Sequence, residues 1–81
     1  MTTNHFAART TARIRAILAA KKLTVTGFAK ILGVDRKYVD TRINDRVELT
    51  TSDLARFSKA LGYKPEELIA EDFRLHEQPE N

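Results

Sequence analysis

The four residues Leu32-Gly33-Val34-Asp35 constrain this chain more than any other feature. Before them, Phe28, Ile31 and Leu32 recur at helical spacing, and Ala29 is small enough for two helices to cross closely. Gly33 can take the left-handed conformation that stops a helix, and Val34 plugs the turn. Asp35 can cap a following helix by accepting from its first free N–H groups. In that helix Val39 and Ile43 share one inward face. Helices shorter than about 12–15 residues are marginal in water unless they are packed. The stretch Leu23 to Asn44 is therefore a pair of helices joined by a tight turn, and the rest of the chain must supply its core.

The outward face of the second helix carries Arg36, Lys37, Asp40, Thr41 and Asn44. These side chains can bond base edges and phosphates. On a lone helix a solvated polar face would be the better explanation of them. The charge distribution shifts that balance. Residues 1–46 hold ten Lys/Arg against three Asp, a balance of +7, whereas residues 47–81 hold four Lys/Arg against eight Asp/Glu, a balance of −4. A basic half beside an acidic half suggests one face aimed at a polyanion and another kept off it.

Length and composition narrow the remaining classes. Eighty-one residues make one small domain with a modest core. There is no cysteine, hence no disulfide framework and no thiolate metal site. No apolar run approaches the ~20 residues of a membrane span, and the N-terminus lacks the apolar core of a secretory signal. The expectation is a soluble cytoplasmic protein with no membrane partner. His5 and His76 stand alone without metal-ligand spacing and read as surface residues. No Gly-rich phosphate loop occurs, and no nucleophile, base and orienter come together. No catalytic residue, metal, cofactor or small-molecule ligand is expected.

Along the chain, Met1 to Asn4 reads as frayed. A first helix starts after Asn4 or after Thr10 or Thr11, all capable caps. From Ala12 onward Ile14, Ile17 and Leu18 form an apolar stripe, which Phe6 can extend by two turns. Arg9, Arg13, Arg15 and Lys30 read as solvated charges, and Lys21 and Lys22 suit the negative end of the helix dipole. Thr24 and Thr26 are rival caps for the second helix. Gly27 sits awkwardly in its first turn, at about 1 kcal/mol against alanine. Close approach to a sugar-phosphate backbone is one explanation for it. Asn44 to Leu49 is a loop. Thr50 or Thr51 caps a fourth helix with Ser52 and Asp53 in its first turn and Leu54, Phe57, Ala60 and Leu61 on its apolar face; Gly62 ends it. Lys64-Pro65-Glu66-Glu67 starts a short fifth helix anchored by Leu68 and Ile69. Phe73 and Leu75 can still dock, and Pro79 to Asn81 is loose. The organisation is thus a domain over residues 1–72 and a polar tail over 73–81, all-α, with no strand.

With these residues laid out, the chain resembles the lambda-repressor-like, Cro/C1-type helix-turn-helix domains of phage and bacterial regulators. The resemblance runs from about Ile14 to Ile69. It rests on Phe28-Ala29, Leu32-Gly33-Val34 and Val39, then on Leu49-Thr50, Leu61-Gly62 and Pro65 with Leu68. It implies a compact five-helix domain, with the helix-turn-helix at helices 2–3 and the third helix in the major groove. By position it implies that Arg36, Lys37 and Thr41 read bases; Asp40, by its own chemistry, can hold Arg36 in place or accept from cytosine N4. It implies phosphate contacts for Tyr38 and Arg42 and for Arg46 in the following loop; Asn44, by its own chemistry, can meet a phosphate at the helix exit. The family's second helix often opens on a phosphate-binding glutamine, but Val25 stands there, so Thr24 or Thr26 must supply that contact. Asp35 replaces the usual Ser or Thr cap of the third helix and repels phosphate. Arg42 stands where the family ends that helix on an apolar residue, so Ile43 takes over the core role.

Arg36 also has a local partner in Asp40, four residues on, and Tyr38 can pack on Arg42. The function expected is a sequence-specific double-stranded-DNA-binding regulator, a repressor of the Cro/C1 type. It acts as a homodimer on a palindromic operator, because one such domain makes too few contacts alone. The dimer surface is sought beyond Val47, among Phe57, Tyr63, Phe73 and Leu75. A protein-interaction module on the same fold, an antitoxin or adaptor, is the alternative.

Overall fold

A computed structural model describes residues 5–76, with side chains from residue 8 onward. It holds five helices in the order α1 His5–Ala20, α2 Val25–Leu32, α3 Arg36–Ile43, α4 Thr51–Leu61 and α5 Pro65–Ile69. The described residues contain no strand. The first helix takes the earlier of its two starts. Fraying of residues 1–4, the Asn4 cap, the side chains of His5 and Phe6, and the loose Pro79–Asn81 lie outside the described residues.

Each helix contributes to one core, with Ile14, Ile17 and Leu18 from α1, Phe28 and Ala29 from α2, Val39 and Ile43 from α3, Phe57 and Leu61 from α4, and Leu68 from α5. The edge of one phenylalanine meets the face of another where α2 crosses α4: the Phe28 and Phe57 rings lie 5.3 Å apart at 82°. Ile31 departs from its expected place and is 59% exposed. Phe28 and Ala29 point inward, which leaves Ile31 on the rim of a shallow groove beside Leu32, Arg56, Lys59 and Ala60.

The helix ends follow local chemistry. Thr24 is the cap of α2, its Oγ1 accepting from Gly27 N at 2.9 Å. That contact gives Gly27 a folding reason, because a Cβ there would stand 3.2 Å from Thr24 Oγ1 and 3.3 Å from Leu23 Cδ1. Gly33 ends α2 in the left-handed region at φ 74°, and Val34 N then donates to Ala29 O at 3.0 Å. Asp35 has the extended backbone of a cap, but its side chain makes no capping bond. It is exposed, so water can serve the first N–H groups of α3. Thr50 caps α4 in a reciprocal box with Asp53: Asp53 N donates to Thr50 Oγ1 at 3.0 Å and Thr50 N to Asp53 Oδ2 at 3.1 Å. Glu67 reaches back to Lys64 N at 2.8 Å to start α5.

The arginines of α1 are not merely solvated. Arg9 donates to Ile69 O at 3.1 Å, while Arg13 donates to Leu68 O at 3.0 Å and Glu71 O at 3.3 Å. Arg15 donates to Ile43 O. The last carbonyls of a helix have no partner inside it and attract cations. Three arginines on α1 thereby tie down the C-terminal ends of α5 and α3.

Residues 73–76 continue this packing. The Phe73 ring lies 6.1 Å from the Tyr63 ring and under the Arg13 guanidinium, 5.0 Å away. His76, though exposed, stacks on Tyr63 at 3.7 Å, and its N–H donates to the Tyr63 hydroxyl at 2.7 Å. Its Nε2 lies 2.6 Å from Glu67 Oε2. Phe57 and Tyr63 are buried within the monomer, at 0% and 5% exposure, so they are not available as dimer surface. Leu75 remains exposed.

Candidate nucleic-acid interface

The α3 helix is held on three sides. Val39 and Ile43 are buried against the core. At its C-terminal end Arg15 bonds the Ile43 carbonyl. Just beyond that end the chain turns through Asp45, at φ 61°, and Arg46 N bonds Thr41 O at 2.8 Å. The buried Thr11 hydroxyl, from α1, lies 2.9 Å from an oxygen of the Asp45 carboxylate and fixes this turn.

On the third side Tyr38 and Arg42, four residues apart, share the flank toward α4. The Tyr38 hydroxyl donates to Asp53 Oδ1, and Arg42 Nε donates to Asp53 Oδ2 at 3.1 Å. The Arg42 guanidinium also stacks 3.6 Å from the Tyr38 ring centroid, with the Arg56 guanidinium 5.6 Å from the same ring. Asp53 is only 2% exposed. Burial pushes its carboxyl up, but the bonds from Tyr38, Thr50 and Arg42 outweigh that and hold it below the usual aspartate value.

What remains is the open arc of α3. Arg36 and Lys37 are exposed at its start, and neither head group has a hydrogen-bond or ion-pair partner among the described residues. Asp40 does not pair with Arg36. Its carboxylate accepts from Asn44 Nδ2 at 3.1 Å and lies 3.8 Å from Arg46 Nη1. Thr41 is half-buried and bonds back to Lys37 O at 2.8 Å. Asn44 and Arg46 are exposed at the helix exit, so Asp40, Asn44 and Arg46 form one surface cluster. On α2, Thr24 and Thr26 are exposed. The Thr24 hydroxyl accepts its cap bond and keeps its proton to donate outward.

Of the ten residues singled out in the sequence, Arg36, Lys37, Asp40, Thr41, Asn44 and Arg46 thus sit on or beside the open arc. Thr24 and Thr26 sit at the start of α2, and Tyr38 and Arg42 turn toward α4. In the sequence Asp53 is only a first-turn acid of α4, and its bonds to α3 leave no signal there. Nor does the sequence mark Thr11, Arg15 and Asp45 as supports of α3. The pattern Thr50-x-x-Asp53 signalled the cap, but nothing local signals a partner 11 or 15 residues away.

A short second helix packed on the core, with cations on its open face, is what helix-turn-helix proteins lay in the major groove of double-stranded DNA. A profile of the Cro/C1-type HTH DNA-binding domain matches residues 13–71. The chain belongs to that family and is a DNA-binding regulator. Comparison with curated proteins gave no match, and comparison with solved structures gave none either. No helix among the described residues is long and apolar enough to cross a membrane.

Proposed function

We propose that the chain is a sequence-specific transcriptional repressor that inserts α3 into the major groove and acts as a homodimer on a palindromic site. One observation carries this reading: Arg36 and Lys37 present cationic groups with no partner among the described residues, from a helix held to the core, to α1 and to α4. Arg36 reads guanine through O6 and N7, a bidentate contact worth about 1–3 kcal/mol of discrimination. Lys37 reads a neighbouring base or its phosphate, Asp40 accepts from cytosine N4, and Thr41 meets a thymine methyl. Thr24, Thr26, Asn44 and Arg46 bind the flanking phosphates and set the register. From Val47 onward, Val47, Ile69 and Leu75 are the large exposed apolar side chains among the described residues and are open to a dimer contact, at 41%, 41% and 45% exposure.

Selection of bound sites from random duplex DNA tests the whole reading. Enrichment of an inverted repeat with half-sites about 34 Å apart supports it. Recovery of no common sequence, with equal retention of all duplexes, rejects it.

A further inference from the structure

Asp53 lies 2% exposed beneath a helix proposed to face a polyanion. A lone carboxylate there would be costly to bury and would repel phosphate. Both of its oxygens are instead hydrogen-bonded. Oδ1 accepts from Tyr38, while Oδ2 accepts from Arg42 Nε at 3.1 Å and Thr50 N at 3.1 Å. Arg42 is engaged through Nε and Nη1. Its Nη1 reaches Tyr38 O at 3.2 Å and Thr41 Oγ1 at 3.4 Å, and its flat face rests on the Tyr38 ring. Swinging Arg42 away from Asp53 toward a phosphate would leave a buried anion short of its cation, and breaking one half of such a pair is strongly unfavourable.

The same carboxylate closes the cap of α4, a helix anchored in the core by Phe57 and Leu61. Two side chains of α3 and the first turn of α4 therefore converge on one anion. We infer that Asp53 is a positioning residue for DNA reading: through Tyr38 and Arg42 it sets the angle at which the open arc of α3 meets the groove, and neither of those two residues leaves it to bind phosphate. The inference rests on the DNA-reading function proposed above. It gives Tyr38 and Arg42 a different task from the phosphate contacts that the family resemblance implies.

Three variants separate positioning from contact. Asp53→Asn keeps the shape of the cap but removes the charge. Arg42→Met keeps much of the stacking on Tyr38 but removes the donors. Tyr38→Phe removes a single hydroxyl. Each is compared with the unmodified chain on a selected duplex and a random duplex across a salt series, at a temperature where circular dichroism shows all four folded. Positioning predicts that Asp53→Asn and Arg42→Met weaken the selected duplex by about tenfold, with Tyr38→Phe weaker in effect. The random duplex and the salt slope then stay unchanged. A salt slope about one unit shallower for Arg42→Met, with Asp53→Asn neutral, makes Arg42 a phosphate ligand and overturns the inference.

Amide hydrogen exchange without DNA gives a readout independent of the function. Positioning predicts faster exchange at Val39–Ile43 in Asp53→Asn and no change in α1. Unaltered exchange in α3 overturns it even if the chain binds DNA. Faster exchange in a chain that binds no duplex selectively leaves the Asp53 coupling standing and removes only the DNA reading.

Discussion

At the scale of single residues, Asp53 gives the clearest pH signature. Its carboxyl is held below the usual value in the folded chain, whereas an unfolded aspartate titrates near 3.9. Between those two values the unfolded chain binds more protons, so stability rises with pH there. The contribution is whole above about pH 4 and is lost as pH falls through the folded value. Urea titrations from pH 6 to pH 3 should show unfolding stability dropping in the native chain and dropping less steeply in Asp53→Asn; parallel curves would remove Asp53 from the account. Gly27 offers a second residue-scale check. Replacing a helical glycine by alanine ordinarily gains about 1 kcal/mol. Here the new Cβ presses on the Thr24 hydroxyl, whose oxygen is fixed by the Gly27 N–H. Gly27→Ala is expected to gain nothing in thermal unfolding, whereas a rise in Tm of several degrees would show that the cap yields easily.

At the scale of elements, the break between α2 and α3 governs the geometry. Gly33 sits at φ 74°, where a Cβ costs about 1–2 kcal/mol. Gly33→Ala should lower Tm by roughly 4–8 °C per kcal/mol in a domain of this size, and an unchanged Tm would mean the turn relaxes to another form. This scale is also where the sequence was most legible. The helical period of Ile14, Ile17 and Leu18, the Gly33 and Gly62 stops, and the Thr50 and Pro65 starts are all local, so five helices could be read from spacing and caps. What could not be read was anything set by a distant partner. Ile31 fits the apolar period of α2, yet no other helix covers it. Phe57 and Tyr63 look like spare aromatics until the fold closes over them. Arg13 and Arg15 look like surface charge, because the carbonyls they serve lie 28 to 58 residues further on. The candidate site divides in the same way. The exposed arc follows from Val39 and Ile43 facing inward, but the flank held by Asp53 depends on how α4 docks.

At the scale of the whole molecule, the cations gathered before Val47 act together. Neutralising several phosphates releases counterions, so affinity for any duplex should fall steeply between 50 and 200 mM salt, by orders of magnitude if about six or more phosphates are met. A flat salt response would contradict a polyanion partner. The central claim is narrower: a helix gripped by α1, α4 and the core offers Arg36 to base edges. It is tested most directly by binding of the native chain and Arg36→Ala to a selected duplex and to one with a single guanine replaced, at one salt concentration. The account predicts that Arg36→Ala weakens the selected duplex by about 1–3 kcal/mol and no longer distinguishes it from the replaced one at that position. Equal loss on both duplexes, or no loss on either, would contradict it.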